Sequence, residues 1–245
     1  MLTIVGAGRI GHALAAMAAA EGMDHAVVRR GEGVPDAAGP IVVCTRNDDI
    51  EAAIASIPRP DDLVFVQNGA LLPWLAARGL GQCTQGLLYF AVPVVRAPPE
   101  AGSTSLFFGR HAFTLAYLLG RGGLPARVLD SEGDLRNEIT VKLLWASIFG
   151  ALGDRDQETV LASAARREEV GALVAELLPV CAGSLGSTLQ SEEVSDRILA
   201  YSVNLGSWRA SVKEWSWRNG WLVAEAARLN LPTPNHTALL ARLGR

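Results

Sequence analysis

The feature that most constrains the fold is a pattern of three glycines near the start of the chain. Gly6, Gly8 and Gly11 form G-x-G-x-x-G between the apolar run Leu2–Val5 and an alanine-rich segment without proline. A strand, a tight turn and a helix are therefore predicted, and such a turn brings helix N-terminal N–H groups to a pyrophosphate. A glycine turn that binds nothing is the alternative. The predicted dinucleotide-binding residues are Gly6, Ala7, Gly8, Arg9, Ile10 and Gly11.

The composition limits the class of protein. Of the 245 residues, 49% are hydrophobic and 19% are charged, so a substantial core is available and disorder is not expected. The formal net charge of −3 provides no basic footprint for nucleic acid. No apolar run reaches about 18 residues, so no membrane-spanning helix is expected.

The cysteines and histidines predict no metal site. The three cysteines are odd in number and far apart, which favours buried thiols in a reduced, cytoplasmic protein. The four histidines share no ligand spacing, and we expect them at the surface or at helix caps. These residues are Cys44, Cys83, Cys181, His12, His25, His111 and His236.

Two styles of secondary structure divide the chain. Up to about residue 132, short apolar strands alternate with helices, which indicates βαβ units and a mostly parallel sheet. Beyond residue 133 only helices are predicted. We therefore expect an α/β fold with a Rossmann-type dinucleotide-binding domain (1–132) and an all-helical substrate and catalytic domain (133–245), with the substrate in the cleft between them. The predicted elements include a strand at 86–95 and helices at 137–152, 156–180 (with a break in it as the alternative), 192–201, 208–229 and 237–243.

The residues after the second strand indicate the cofactor. A dinucleotide site reads the adenosine ribose about 20 residues beyond the glycines, where an acid favours NAD and an arginine favours the 2′-phosphate of NADP. Arg29 and Arg30 stand there, and the first acidic residue after them is Glu32. Two guanidinium groups can hold a phosphate by charged hydrogen bonds. NADPH is therefore predicted, the alternative being two solvated surface arginines.

Lys142 is the first candidate for chemistry. Every residue from 143 to 152 is apolar or small, so its helix is expected to be buried nearly all round. Burial disfavours the charged ammonium and brings the lysine closer to the pH at which it can release a proton. A side chain that extends from the first turns of the helix to water is an equally good interpretation of the pattern.

Glu214 is the second candidate. On a helix, the steps of 4, 3, 4 and 3 residues between Ser207, Ser211, Glu214, Arg218 and Trp221 place them on one stripe. Four of the six tryptophans lie between positions 208 and 221, a density typical of a packed interface. The pattern alone favours a structural pair with Arg218, and a carboxylate that points into a cleft is the alternative.

Taken in order, these motifs resemble the ketopantoate reductase (2-dehydropantoate 2-reductase) family, NADPH-dependent enzymes with a Rossmann domain and a helical domain. The resemblance runs through G-A-G-R-I-G, Q-N-G at 67–69, E-I-T-V-K-L-L at 138–144, the stretch 201–220 and P-T-P-N at 232–235. It implies Lys142 and Glu214 as catalytic residues. It also implies Arg46 and Asn68 at the cofactor, and Asn68 and Ser202 at the substrate.

The chain also departs from this family. Ala146 and Gly150 stand where the family carries asparagines, and Gly206 stands where an aspartate is common. The resemblance therefore implies NADPH-dependent reduction of a 2-oxo acid to a 2-hydroxy acid and leaves the particular acid open. A homodimer is the expected assembly. A catalytically silent NADP-binding sensor and an opine-type imine or carbonyl reductase are the alternatives.

Overall fold

A seven-stranded sheet forms the first of two units in the computed structural model, which describes residues 1–245. The strand order is β2-β1-β3-β4-β5-β8-β9, and the first five strands in that order pair in parallel. β8 pairs antiparallel with β5 and parallel with β9, and β6 and β7 form a separate ribbon. The strands are β1 (Leu2–Val5), β2 (His25–Val28), β3 (Ile41–Val43), β4 (Leu63–Phe65), β5 (Thr84–Leu87), β6 (Phe90–Ala91), β7 (Glu100–Ala101), β8 (Ser105–Phe108) and β9 (Ala126–Val128).

Ten α-helices complete the chain. They are α1 (Arg9–Ala20), α2 (Ile50–Ile54), α3 (Leu71–Ala76), α4 (Ala112–Arg121), α5 (Glu132–Asp156), α6 (Val160–Ala164), α7 (Arg167–Leu185), α8 (Ser191–Leu205), α9 (Asn219–Arg228) and α10 (Pro234–Ala241). None of them combines the length and the hydropathy needed to cross a bilayer.

The central strands are buried on both faces, as parallel strands usually are. Every residue of β1, β3 and β4 is buried. One core cluster joins Ile4 and Val42 of the sheet to Leu14 of α1 and Leu115 of α4. The sheet is thereby held rigid beneath the loops that leave its carboxyl edge.

In the second unit, α5 is the most buried helix. Leu144, Ile148 and Leu152 lie on it with no exposed surface or almost none. α7 packs against α8, α9 and α10, and α6 packs against α8. The predicted helix 156–180 is divided here: α5 ends at Asp156, and Thr159 caps α6 by accepting a hydrogen bond from the Ala162 N–H.

One segment crosses the predicted division of the chain. The first unit contains Met1–Gln67 and Leu75–Glu132, whereas the second contains Asn68–Trp74 and Gly133–Arg245. Residues 68–74 follow a strand of the first unit, yet they pack with the second. Ala70 donates its N–H to the Trp217 carbonyl at 2.9 Å, and this contact explains why the segment packs with the second unit.

The predicted helix 208–229 is wrong over its first half. Gly206 ends α8 with φ 55° and ψ −108°, a backbone that few other residues adopt. Residues 207–214 contain no helix, and Glu214 has φ 49°. A short 3₁₀ turn at Trp215–Trp217 precedes α9. The predicted stripe of side chains therefore does not exist, although the Glu214–Arg218 pair within it does form.

Other boundaries differ less. The predicted strand 86–95 divides into β5 and β6, which are separated by two residues outside the ladder. The last helix begins at Pro234 rather than at residue 237, because the Glu176 carboxylate accepts the N–H groups of Asn235 and His236 and so caps it.

Candidate active site

The glycine turn after β1 has the geometry needed to hold a pyrophosphate. Gly6 has φ 111°, which favours glycine, and a Cβ there would lie 3.0 Å from the Cys44 carbonyl carbon. A Cβ on Gly11 would lie 1.9 Å from the Gly6 carbonyl oxygen, so only glycine lets α1 pack this closely. A Cβ on Gly8 would meet no atom within 4 Å. Gly6 and Gly11 thus close the turn, and the backbone at Gly8 is accessible to a ligand.

The N-terminus of α1 supplies hydrogen-bond donors at this turn. Gly8 is the residue before the first helical turn, and no side chain caps the helix. The N–H groups of Arg9, Ile10 and Gly11 lie in that first turn, where no intrahelical carbonyl can accept from them. Together with Ala7 they form a polar, electropositive concavity suited to a phosphate.

The Arg9 side chain has a different role. It is exposed, and Nη1 donates to the carbonyl oxygens of Val92 at 3.3 Å and Pro93 at 3.4 Å. These long contacts fasten the segment after β6 beside the turn.

Three arginines follow the ends of neighbouring strands. The last residues of β1, β2 and β3 pair in register, so the chain leaves each strand at one edge of the sheet. Arg29 and Arg30 come directly after β2, and Arg46 comes three residues after β3. All three are exposed. The edge that carries the glycine turn therefore also carries a cluster of guanidinium groups.

Arg30 has an acidic neighbour that sequence reasoning missed. Its side chain is 87% exposed, and Nη2 lies 3.0 Å from Asp49 Oδ1, just before α2. The Glu32 carboxylate accepts the Arg29 backbone N–H at 2.7 Å. An exposed ion pair contributes about 0–1 kcal/mol, so a phosphate can compete with Asp49 for the guanidinium.

Gln67 anchors the Q-N-G motif to the sheet. Its buried amide donates to the carbonyl oxygens of Val43 and Thr45, at 2.8 and 3.2 Å, and accepts the Val66 N–H at 3.1 Å. Asn68, the next residue, belongs to the second unit and is partly exposed. These hydrogen bonds fix the position of Gln67, the residue from which the backbone continues into Asn68.

The segment that starts at Asn68 lies against the turn that follows Glu214. Gly69 has φ 99°, and a Cβ there would lie 2.5 Å from the Trp217 carbonyl oxygen. The rings of Trp74 and Trp217 meet edge to face with centroids 6.0 Å apart. Two motifs almost 150 residues apart in the chain are thus packed together by contacts that tolerate only glycine at position 69.

Lys142 lies on α5 among buried apolar residues and is itself partly exposed. The pKa of its ammonium is lowered from 10.5 to about 7, chiefly by burial and also by the positive charge of Arg218, whereas the negative charge of Glu214 opposes the shift. The ammonium is therefore poised to exchange a proton near neutral pH, which a solvated surface lysine is not. Its two charged neighbours are Glu214 and Arg218.

Glu214 and Arg218 form an ion pair. Arg218 Nη2 donates to Glu214 Oε2 at 2.6 Å, and the side chains are 11% and 31% exposed for Arg218 and Glu214, respectively. Burial lowers the pKa of the Arg218 guanidinium, and Glu214 counteracts that shift. Arg218 Nε is also buried and has no hydrogen-bond partner. The pair is therefore incompletely satisfied on the arginine side.

Ser202 is placed differently from the prediction. It lies on α8 with no exposed surface, and its hydroxyl donates to the Ile198 carbonyl at 2.7 Å. The same oxygen accepts the Trp145 Nε1–H at 3.0 Å. A hydroxyl buried and engaged in this way is not presented to a substrate carboxylate, so we leave Ser202 out of the substrate site. Its hydrogen bonds join α5 to α8.

The structure explains one of the two departures on α5, the glycine at position 150. A Cβ on Gly150 would lie 3.0 Å from the Ser211 carbonyl oxygen, and one on Gly153 would lie 2.4 Å from the Ala210 carbonyl oxygen. Residues 207–213, which we call the strap, therefore cover α5 at the position where the resemblance implies an asparagine. The strap is held by the Val212 N–H, which donates to Asp154 Oδ2 at 2.9 Å. Nothing in the structure explains why position 146 is alanine.

A buried polar chain links α10 to α5, and sequence reasoning missed it. Asn219 is 1% exposed and donates from Nδ2 to the Ser147 carbonyl at 3.4 Å. His236 is fully buried, and its Nε2 lies 2.9 Å from Asn219 Oδ1. Burial lowers the pKa of His236 to about 4, so the ring is neutral. The expectation of a surface or capping histidine is wrong at this position.

Nowhere do three or more His, Cys, Asp or Glu side chains gather as a metal would require. His111 instead bonds to Asp62, with Nε2 and Oδ1 2.8 Å apart.

Comparison with solved structures identifies the fold. The structure matches D-mandelate dehydrogenase in ternary complex with NADH and anilino(oxo)acetate, at a TM-score of 0.77 and 14% identity over 100% of this chain and 97% of the other. It matches 2-dehydropantoate 2-reductase from Geobacter metallireducens at 0.76 and 19% identity, over 99% and 98% of the chains. A ketopantoate reductase from Staphylococcus aureus, described as dimeric, matches at 0.73 and 13% identity over 98% of each chain.

These similarities confirm the predicted fold class: the chain has the fold of the ketopantoate reductases over nearly its whole length, as the motifs indicate. No protein-family model matches the chain, and no curated protein is significantly similar to it in sequence. Identities below one fifth show the shared fold and leave the activity to be argued from the site.

Proposed function

We propose that this protein is an oxidoreductase that uses NADPH to reduce a 2-oxo acid to a 2-hydroxy acid. The observation that carries the proposal is Lys142: a partly exposed lysine with a pKa of about 7, on a buried helix, with a carboxylate and a guanidinium as its charged neighbours. A silent nucleotide sensor would have no use for a destabilised ammonium. The fold is shared with D-mandelate dehydrogenase, whose structure contains NADH and anilino(oxo)acetate, which supports the same chemistry here.

The cofactor would be held by the first unit. The N–H groups at the start of α1 would bind the pyrophosphate above Gly8, and Arg30, with Arg29 and Arg46 on the same edge, would bind the 2′-phosphate. NADPH supplies the hydride when it is bound. The arginines that directly follow β2, where an acid would bind a ribose 2′-hydroxyl, favour NADPH over NADH.

Lys142 would be the proton donor. As hydride reaches the carbonyl carbon, negative charge develops on the carbonyl oxygen, and an ammonium with a pKa near 7 can release its proton there. Asn68 would hydrogen-bond to the carbonyl oxygen and orient it toward the lysine. Glu214 would contact a substrate hydroxyl or orient Lys142, since its charge already acts on the lysine.

A cytoplasmic location and a homodimeric assembly belong to the same proposal. The thiols of all three cysteines are free, which is expected in a reducing compartment. The structural relative from S. aureus is described as dimeric. Sedimentation of the purified protein tests the assembly directly.

Steady-state oxidation of NADPH and of NADH, with a panel of branched and unbranched 2-oxo acids, tests the proposed reaction. We expect turnover of at least one acid with NADPH and a higher KM for NADH. Parallel reactions with an added amine distinguish an imine reductase, which would need the amine. Binding of NADPH without turnover of any compound, with or without amine, would instead support the sensor.

A further inference from the structure

At three positions where the resemblance implies polar groups for the substrate, this structure offers none. Ala146 is apolar and buried, the strap covers Gly150, and the Ser202 hydroxyl is buried and engaged. A carboxylate that leaves water for a site of this kind needs charged hydrogen-bond donors to offset its desolvation. A different residue of this chain has to supply them.

We propose that Arg218 binds the substrate carboxylate, and that it takes the place of the polar residues missing from the Lys142 site. The inference rests on the proposed function, because it concerns the substrate of that reaction. Arg218 lies four residues after Glu214, at the start of α9, and follows the turn against which the Asn68 segment packs. Arg218 thus bonds to Glu214 and follows directly after Trp217, the residue that holds the Asn68 segment.

The hydrogen bonding of Arg218 favours this role. A guanidinium has five N–H donors in a planar fork, but here one hydrogen bond runs from Nη2 to Glu214, and Nε is buried without a partner. Buried donors are nearly always satisfied, so this deficit requires an explanation. A carboxylate bound beside Glu214, or after Glu214 moves to the substrate, would supply acceptors to the guanidinium, and the arginine would have to shift for the buried Nε to reach one.

The charge balance points the same way. When Lys142 is protonated, the site contains two positive side chains and one negative side chain, namely Lys142, Arg218 and Glu214. An excess of one positive charge in a partly buried site favours an anionic ligand over a neutral one. A neutral ketone, ester or amide would leave that charge unbalanced. Arg218 therefore makes the enzyme selective for acids.

A comparison of substrates in three variants tests the proposal. The preferred 2-oxo acid and its methyl ester are measured with the wild type, Arg218→Met and Arg218→Lys. Binding of oxamate to the protein loaded with NADP⁺ is measured by calorimetry. Arg228→Met is the matched control, because Arg228 pairs with Glu225 at 2.6 Å on the exposed side of α9.

We expect Arg218→Met to raise the KM of the acid and the Kd of oxamate on the order of tenfold to a hundredfold, with little change for the ester. Arg218→Lys should recover part of the loss, since it restores charge without the fork. The control should match the wild type. Equal losses for acid and ester, or an unchanged Kd for oxamate, would overturn the role of Arg218.

The design separates this inference from the proposed function. If the wild type reduces no 2-oxo acid, the proposed function fails. If the wild type reduces an acid and Arg218→Met binds that acid equally well, only the inference fails. Should Arg218→Met not fold, the ratio of acid to ester turnover in Arg218→Lys decides, because a loss of general stability affects both substrates alike.

Discussion

The Trp217 carbonyl oxygen accepts the Ala70 N–H at 2.9 Å and lies 2.5 Å from the position that a Cβ on residue 69 would take. This contact holds the segment after Asn68 against the turn between Glu214 and Arg218. Both sides of the contact contribute a residue to the proposed site. Its geometry is therefore expected to matter for activity as well as for stability.

Gly69→Ala tests this relationship. The new Cβ would approach the Trp217 oxygen to 2.5 Å, and φ 99° is strained for alanine, so we expect a loss of roughly 1–3 kcal/mol in the free energy of unfolding. We also expect kcat to fall, because Asn68 and Glu214 would lose their relative positions. Urea unfolding and steady-state kinetics are the measurements. Gly79→Ala is the control: it has φ 71° but no atom within 4 Å, so it carries strain without the collision.

The proposed proton donor gives the largest predicted effect on rate. Lys142→Ala should lower kcat by roughly 10²–10⁴-fold, the usual contribution of a positioned general acid. Lys142→Arg should be little better, since a guanidinium does not release its proton near neutral pH. The Kd of NADPH, measured by quenching of tryptophan fluorescence, should stay close to that of the wild type. Turnover near the wild-type rate in Lys142→Ala would show that the lysine only extends to water.

The pH dependence follows from the direction of the lysine shift. The reduction needs the ammonium form, which predominates below the pKa of about 7. We expect kcat/KM for reduction to be constant at acid pH and to fall about tenfold per pH unit above 7. Glu214→Gln removes a negative charge that raises this pKa, so the descending limb should move to lower pH. A limb that stays in place would show that another group titrates.

The strands of the first unit and the glycine turn could be predicted because the signals are local. The central strands are apolar throughout because both faces of the sheet are covered, and Gly6 and Gly11 each meet a steric requirement of the turn after β1. Lys142 could be found in the same way, because ten apolar or small residues follow it on one helix.

The remainder of the site depends on contacts that no local pattern records. Helical spacing wrongly predicts one helix through Glu214, since Gly206 ends α8 and the strap then packs on Gly150 and Gly153. The assignment of Ser202 follows from a resemblance, and the Trp145 indole that engages its hydroxyl is almost 60 residues away in the chain. The Arg30–Asp49 pair likewise forms only when β2 and the turn before α2 come together.

Ser202 provides a test in which stability and substrate binding are expected to separate. Ser202→Ala removes the acceptor of the partly buried Trp145 Nε1–H, which costs about 1–3 kcal/mol. The melting temperature should fall, while the KM of the 2-oxo acid should not change. Ser147→Ala is the matched control, because that hydroxyl is buried and already lacks a partner, so its removal should be neutral or stabilising. A raised KM with unchanged melting in Ser202→Ala would restore the serine to the substrate site.

The choice between NADPH and NADH depends on Arg30. Its guanidinium is exposed and shared with Asp49 in a weak surface pair, so a 2′-phosphate gains a charged hydrogen bond worth about 1.5–3 kcal/mol when it displaces that carboxylate. Arg30→Asp should therefore raise the KM of NADPH by more than tenfold and leave the KM of NADH unchanged or lower. Asp49→Asn should have a smaller effect of opposite sign on NADPH, because it frees the arginine. Arg121→Asp is the control. Arg121 is the last residue of α4 and also forms a surface ion pair, with Glu21 at 2.6 Å. Equal KM values for the two cofactors in the wild type would contradict the assignment of NADPH, whatever the variants do.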